Sequence, residues 1–368
     1  MRTEIMKNIL FALSLVTLFI CCGKSPVSSL LEDLDLPDDA TFTYLPTDLN
    51  RMDEFVAIGQ IYDLPKAHGG FGVKDFYSTT PDIPVYAMSD GVIYNIRYET
   101  KIFEAPWAPT GLEGLEYEDY AIHIYLTKTA GMHYGHLSKL APEILQQAGT
   151  LTRGSTENRV LIHFKAGEIL AYIGTHPGFD VGYYDVKNEH YFANPGRYTP
   201  DYTSARPFTD NLPPDLREEV WKINPRTVEP LGGKINYDVD GTISGNWFLE
   251  GTTIVGDWSK QLIIARHERY ADRITISDGS PVVGDNGEPY LWWIFGNAPA
   301  PETVTLASGK VKYKVATWWR LYQIENTPAE GTVMIEMTAR DKMRYEFFVD
   351  QLPENVGGFT PAARRYER

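Results

Sequence analysis

The chain predicts a mainly β protein: an antiparallel β-sheet domain followed by a second all-β domain, either barrel or sandwich. Three observations carry this. Between Glu54 and Tyr198, short runs rich in Val, Ile and Tyr are separated by Gly, Pro, Asn and Asp, the rhythm of strands and turns. Beyond Gly232, the runs DGTISGNWFLEGT, KQLIIARHER, DRITISDG, YLWWIFGN, KVKYKVATWWRLYQI, GTVMIEMTAR and MRYEFFVDQ read as about seven strands joined by hairpin turns. The length of 368 residues suits two domains, and 43% hydrophobic with 13% aromatic residues supplies sizeable β-rich cores.

Residues 1–22 read as a lipoprotein signal peptide. Arg2 and Lys7 precede an apolar run from Ile9 to Ile20. That is about twelve residues, too short for a bilayer-spanning helix of about twenty and the right length for a signal-peptide core. Cys21 and Cys22 are the only cysteines and stand where a bacterial lipoprotein is cleaved and acylated. Leu18 and the small residue before cleavage favour Cys22 for lipidation, with Cys21 the alternative; a plain signal peptide with incidental cysteines is the bland reading. The expected location is the bacterial cell envelope, lipid-anchored, periplasmic or surface-exposed. With no cysteine elsewhere, the mature domains carry no disulfide and depend on their cores.

Residues 23–50, with SSLLEDLDLPDDAT, read as an acidic tether. The formal charge of −15 argues against nucleic acid as a partner and against a polybasic membrane contact, leaving the lipid as the membrane attachment.

Residues 51–200 form the first domain and hold the residues with chemistry. AHGGFGVKDF carries His68 and Asp75, IPVYAMSDGVIYNI follows, and MHYGHLSKL carries His133 and His136. EAPWAPTGLEGLEYEDY has too much Pro and Gly for an element and is expected as a surface loop; SKLAPEILQQAG is a short helix candidate ending at Gly149. His133, three residues before His136 on a strand, is expected on the opposite face. His123, His163 and His190 are expected to be ordinary strand or loop histidines.

In order and spacing these segments resemble the lysostaphin-type zinc metallopeptidases, which cut peptidoglycan cross-bridges on a small antiparallel β scaffold. The resemblance runs from about Asp63 to Tyr198. Pro84, Val85, Ala87, Asp90, Gly91 and Val92 reproduce the family's "pVyAxxdGvV" strand and turn, and Tyr134, Gly135, His136 and Leu137 its "YaHL" strand. Ala166, Gly167, Glu168, Ile169, Ile173 and Gly174 reproduce the hairpin that follows. The resemblance implies Asp75 as a metal ligand, His136 as the proton-handling catalytic residue, and His68 as a ligand folded back by Gly69, Gly70 and Gly72. His68 lies seven residues before Asp75, where the family has four.

The family's closing "HLHFE" is replaced by HPGFDVGYYDV, which puts Asp180 and Gly182 at the inward positions. Gly182 offers no side chain to a metal. Asp180 is then an oxygen ligand in place of an imidazole, or His176 swings in, or His68, Asp75 and Asp180 form a hydrogen-bonded polar cluster without metal. Two functions follow. The first is an inactive peptidase-like domain, with no cofactor, that binds a cell-wall peptide or an envelope protein as a scaffold. The alternative is an active zinc metalloendopeptidase on peptidoglycan peptides, with His68, Asp75 and Asp180 as ligands. The missing ligand weighs toward the first.

Residues 201–232 contain Pro207, Pro213, Pro214, Pro225 and Pro230 around DLREEVWKI and are expected as a linker packed across two domains. Residues 233–368 are the second all-β domain. Its Gly245-Asn246-Trp247 is similar to the Gly-x-Trp start of lipocalin-like barrels, where the Trp plugs the barrel floor, and this implies carriage of a small apolar ligand as a third reading. Trp292 with Trp293 and Trp318 with Trp319 form adjacent pairs, so alternation turns one of each pair outward. Trp293 and Trp319 are thus candidates for a ligand or partner surface, against the bland reading of interdomain packing.

Overall fold

The computed structural model describes residues 34, 36–61, 65–103, 108–187, 192–252, 258–270, 272–279, 290–317 and 331–368. The chain is mainly β and divides into two units. The first comprises Met1–Ala57, Ala67–Glu189 and Ser204–Pro225; the second comprises Ile58–Lys66, His190–Thr203 and Arg226–Arg368.

The first unit carries β1 (Met52–Val56), β2 (Gly69–Val73), β3 (Ile83–Tyr86), β4 (Gly91–Ile102), β5 (Glu116–Tyr125), β6 (Ala130–Leu137), β7 (Lys139–Leu140), β8 (Ser155–Phe164), β9 (Ile169–Ile173), β10 (Gly178–Asp185) and β11 (Ala205–Arg206). The large sheet runs β1-β2-β10-β6-β5-β4-β8, with β11 on β10, and a small sheet runs β3-β9-β7. All these pairings are antiparallel.

Alternation assigns each strand one apolar and one polar face. On β10, Phe179, Val181 and Tyr183 enter the core; on β6, Met132 and Tyr134; on β5, Ile122 and Ile124. Val85, Leu170, Ala171 and Ile173 of the small sheet join the same core, at most 0% exposed each. Fully burying such a side chain stabilises by about 1.5–3 kcal/mol. The opposite face of the large sheet carries Asp180, Gly182 and Tyr184 of β10 and His133 of β6.

Helix α1 (Pro142–Ala148) begins with Pro at its first turn, buries Ile144, and ends where the Gly149 amide donates to the Leu145 carbonyl. Residues 116–120, expected within a loop, instead open β5 and pair with Tyr98–Ile102 of β4. The Pro and Gly of that insert stop at Gly114, and the Tyr-rich stretch beyond it is strand-forming.

The segment expected as a linker is largely part of the first unit. Helix α2 (Pro214–Trp221) buries Val220, and Phe208 packs edge-on against Phe55 at 5.9 Å. Trp221 meets Phe55 at 5.7 Å, and the Phe55 amide donates to the Ile223 carbonyl at 2.9 Å. The prolines set turns between short elements whose apolar residues are claimed by one core.

The second unit is a closed barrel of β12 (Gly245–Leu249), β13 (Gln261–Arg266), β14 (Ile274–Asp278), β15 (Tyr290–Ile294), β16 (Lys310–Thr317), β17 (Gly331–Ala339), β18 (Lys342–Val349) and β19 (Arg364–Glu367). Each strand pairs with the next and β19 closes on β12, which removes the exposed edges an open sheet would present. Trp247 is fully buried, its indole N–H donates to the Ile243 carbonyl at 2.9 Å, and the Arg368 guanidinium lies 3.9 Å from its ring centre.

Both Trp292 and Trp293 are buried, at 2% and 7% exposure, which corrects the expectation of an outward aromatic surface at Trp293. The turn after β13 covers it: His267 stacks on Trp293 at 5.1 Å and Arg273 lies 5.4 Å from its ring. Trp319, Cys21 and Cys22 lie outside the described residues.

Candidate metal centre

Among the described residues, five histidines gather on the polar face of the large sheet or at its end: His68, His123, His133, His136 and His176. Strand pairing explains most of this. Asp180 is opposite Gly70 of β2, two residues after His68, and opposite Gly135 of β6, beside His136. Gly182 is opposite His133, which in turn faces His123 of β5.

His136 departs from simple alternation. Its φ is +59°, in the left-handed region, and the β5–β6 pairing carries an irregularity between Tyr120 and Ile122. A bulge adds a residue to one side of a ladder and re-aims the next side chain. His136 therefore turns to the face that already holds His133, which corrects the expectation that the two lie on opposite faces. A non-glycine residue in this region costs about 1–3 kcal/mol, a strain found most often at functional sites.

Asp180 is the hub. Its Oδ2 lies 3.3 Å from His68 Nε2 and 3.4 Å from His136 Nε2. His68, His133 and Asp180 each present one donor atom within 4.8 Å of the other two, and all three are half-buried. The His68 and His133 rings meet edge-on at 5.0 Å. His136 stacks face to face on His176 at 3.6 Å, and the His176 Nδ1 accepts from the Gly178 amide at 3.0 Å.

Behind His136 stands Asp119, 1% exposed, with Oδ1 3.4 Å from His136 Nδ1 and Oδ2 2.8 Å from Lys101 Nζ. Burial opposes its ionisation, but His136 and Lys101 outweigh this and hold the carboxyl at about 2. Burial, reinforced by His68 and His123, pushes His133 well below the ordinary imidazole range. Burial also lowers His123 to about 4, with Arg97 adding to it, and His176 to about 4, with His136 adding to it. At neutral pH these rings are uncharged, the form in which imidazole donates to a metal.

The donor types are those that zinc takes. Two imidazoles and one carboxylate are a familiar catalytic combination, and bonds of about 2.0 Å in tetrahedral array separate donors by roughly 3.3 Å. The His68–Asp180 separation is 3.3 Å.

Of the residues singled out from sequence, His68, His136 and Asp180 come together and Asp75 does not. Asp75 is exposed, in the turn after β2, with φ +49°. β2 pairs with Asp180 at Gly70 and runs away from it; at roughly 3.3 Å per residue the strand is already about 10 Å past that point at Val73. Sequence reasoning missed two members. Alternation sets His133 on the opposite face from His136, because a bulge leaves no mark in the residue pattern. Asp119 is one acid in the run EYEDYAIHIY, and only the Glu99–Asp119 register brings it beneath His136 and beside Lys101. No protein-family model, curated protein or solved structure matches the chain.

Proposed function

We propose that the first unit is a zinc-dependent hydrolase of cell-wall peptides, with His68, His133 and Asp180 holding the metal and His136 handling the proton. The observation that carries this reading is the convergence of three donors within 4.8 Å beside a strained histidine. Zinc bound there would supply an activated water and polarise the scissile carbonyl. His136 Nε2 faces the cluster, in position to take or return a proton, and the buried Asp119 orients its ring through Nδ1. His176 stacks on one face of that ring. The resemblance of residues 63–198 to lysostaphin-type peptidases supports peptide as the substrate class, with a ligand set of this chain's own. Acylation at Cys22, or at Cys21, would hold the unit at the cell envelope.

A second reading rests on Asp180 itself. It already meets two imidazoles, an arrangement that gives its carboxylate polar partners without a metal. The groove would then be a binding surface for a cell-wall peptide or an envelope protein.

Elemental analysis of the tag-free mature chain beside His68→Ala separates the two. One zinc per chain, absent from the variant, with cleavage of peptidoglycan peptides lost in His136→Ala, supports the hydrolase. Protein purified metal-free without chelator, and inert toward those peptides with zinc added, selects the binding surface.

A further inference from the structure

We infer that the donor missing from position 182 is supplied across the sheet by His133, and that Tyr184 is the positioning residue that aims it. This rests on the metal reading above and deepens it. Gly182 and His133 are direct partners in the β10–β6 ladder. A Cβ placed on Gly182 would stand 2.3 Å from His133 Nδ1, 2.5 Å from its Cε1 and 2.6 Å from Tyr184 Oη. The imidazole therefore lies across the backbone of residue 182, in the space its side chain would take. Only glycine admits it.

Tyr184 is two residues along β10, on the same face. Its ring is nearly parallel to that of His133, at 18° and 5.8 Å, and its Oη is 2.9 Å from Nδ1. With Nδ1 engaged there, Nε2 is the nitrogen available to the cluster. A metal-bound histidine commonly donates its second N–H to a fixed acceptor, which sets both tautomer and ring angle. With Nε2 on the metal, Tyr184 Oη would be that acceptor and His133 Nδ1–H the donor. The glycine that reads in sequence as the loss of a ligand is thus what allows a ligand to arrive from the neighbouring strand.

The test is zinc affinity, measured on the full mature chain by titrating zinc chloride against a chromophoric chelator. Tyr184→Phe keeps the ring and removes the hydroxyl; binding should weaken about 10- to 100-fold. Gly182→Ala deletes no polar atom, yet should weaken binding at least as much by displacing His133. Unchanged circular dichroism and melting temperature establish that each variant is folded, and Tyr184→Phe guards against Gly182→Ala failing that check. In the zinc-free chain, ¹⁵N shifts of the His133 ring should report the Nδ1–H tautomer and lose that preference in Tyr184→Phe. Wild-type affinity in both variants overturns this inference alone. No zinc bound by the wild-type chain overturns the metal reading and this inference with it.

Discussion

Along β10, Phe179, Val181 and Tyr183 point to one side of the sheet and Asp180, Gly182 and Tyr184 to the other. The first set is packed among Phe71, Tyr134 and the small sheet, where any apolar group of the right volume would serve. The second meets His68, His133 and His136 at specific distances, where a change of one atom alters the chemistry. One strand thus carries two kinds of constraint in alternate residues. The core face tolerates exchange of type within a volume; the polar face tolerates exchange of position, as His133 opposite Gly182 illustrates.

Substitutions on the two faces should therefore separate stability from chemistry. The largest effect is expected on the core face: Phe179→Ala removes a ring with no exposed surface that meets Tyr134 at 5.6 Å. Urea unfolding should show a loss of about 3–5 kcal/mol. A loss below about 1 kcal/mol would mean that this face is not the close-packed one.

Asp119 gives an intermediate effect that depends on pH. Its folded value of about 2 lies below the ordinary carboxyl value of 3.8, so its contribution is complete above pH 4 and disappears as the pH falls toward 2. The difference in unfolding free energy between the chain and Asp119→Asn should reach about 2 kcal/mol at neutral pH. It should shrink through that acid window. A difference that does not vary with pH would show that the carboxylate is not held ionised by His136 and Lys101.

The smallest effect is expected at Asp75. Exposed and beyond the end of β2, it should be replaceable by Ala with zinc content and melting temperature both unchanged. Zinc lost in Asp75→Ala would place the metal on the ligand that the family resemblance implies and away from the cluster around Asp180.

The sequence by itself determined the β class, the strand-and-turn rhythm of both units and the barrel's run of hairpins, because alternation and turn residues act over a few neighbours. It also marked His68, His136 and Asp180, whose segments carry local signatures. Tertiary structure decided the rest. The bulge at the β5–β6 pairing brought His133 and His136 to one face, the β4–β5 register put Asp119 beneath them, and the direction of β2 carried Asp75 away. The segment after residue 203 was likewise assigned by which core claimed Phe208 and Val220. Each of these depends on contacts between residues distant in the chain, and strand register is fixed by packing across the sheet, which no local pattern of residue types records.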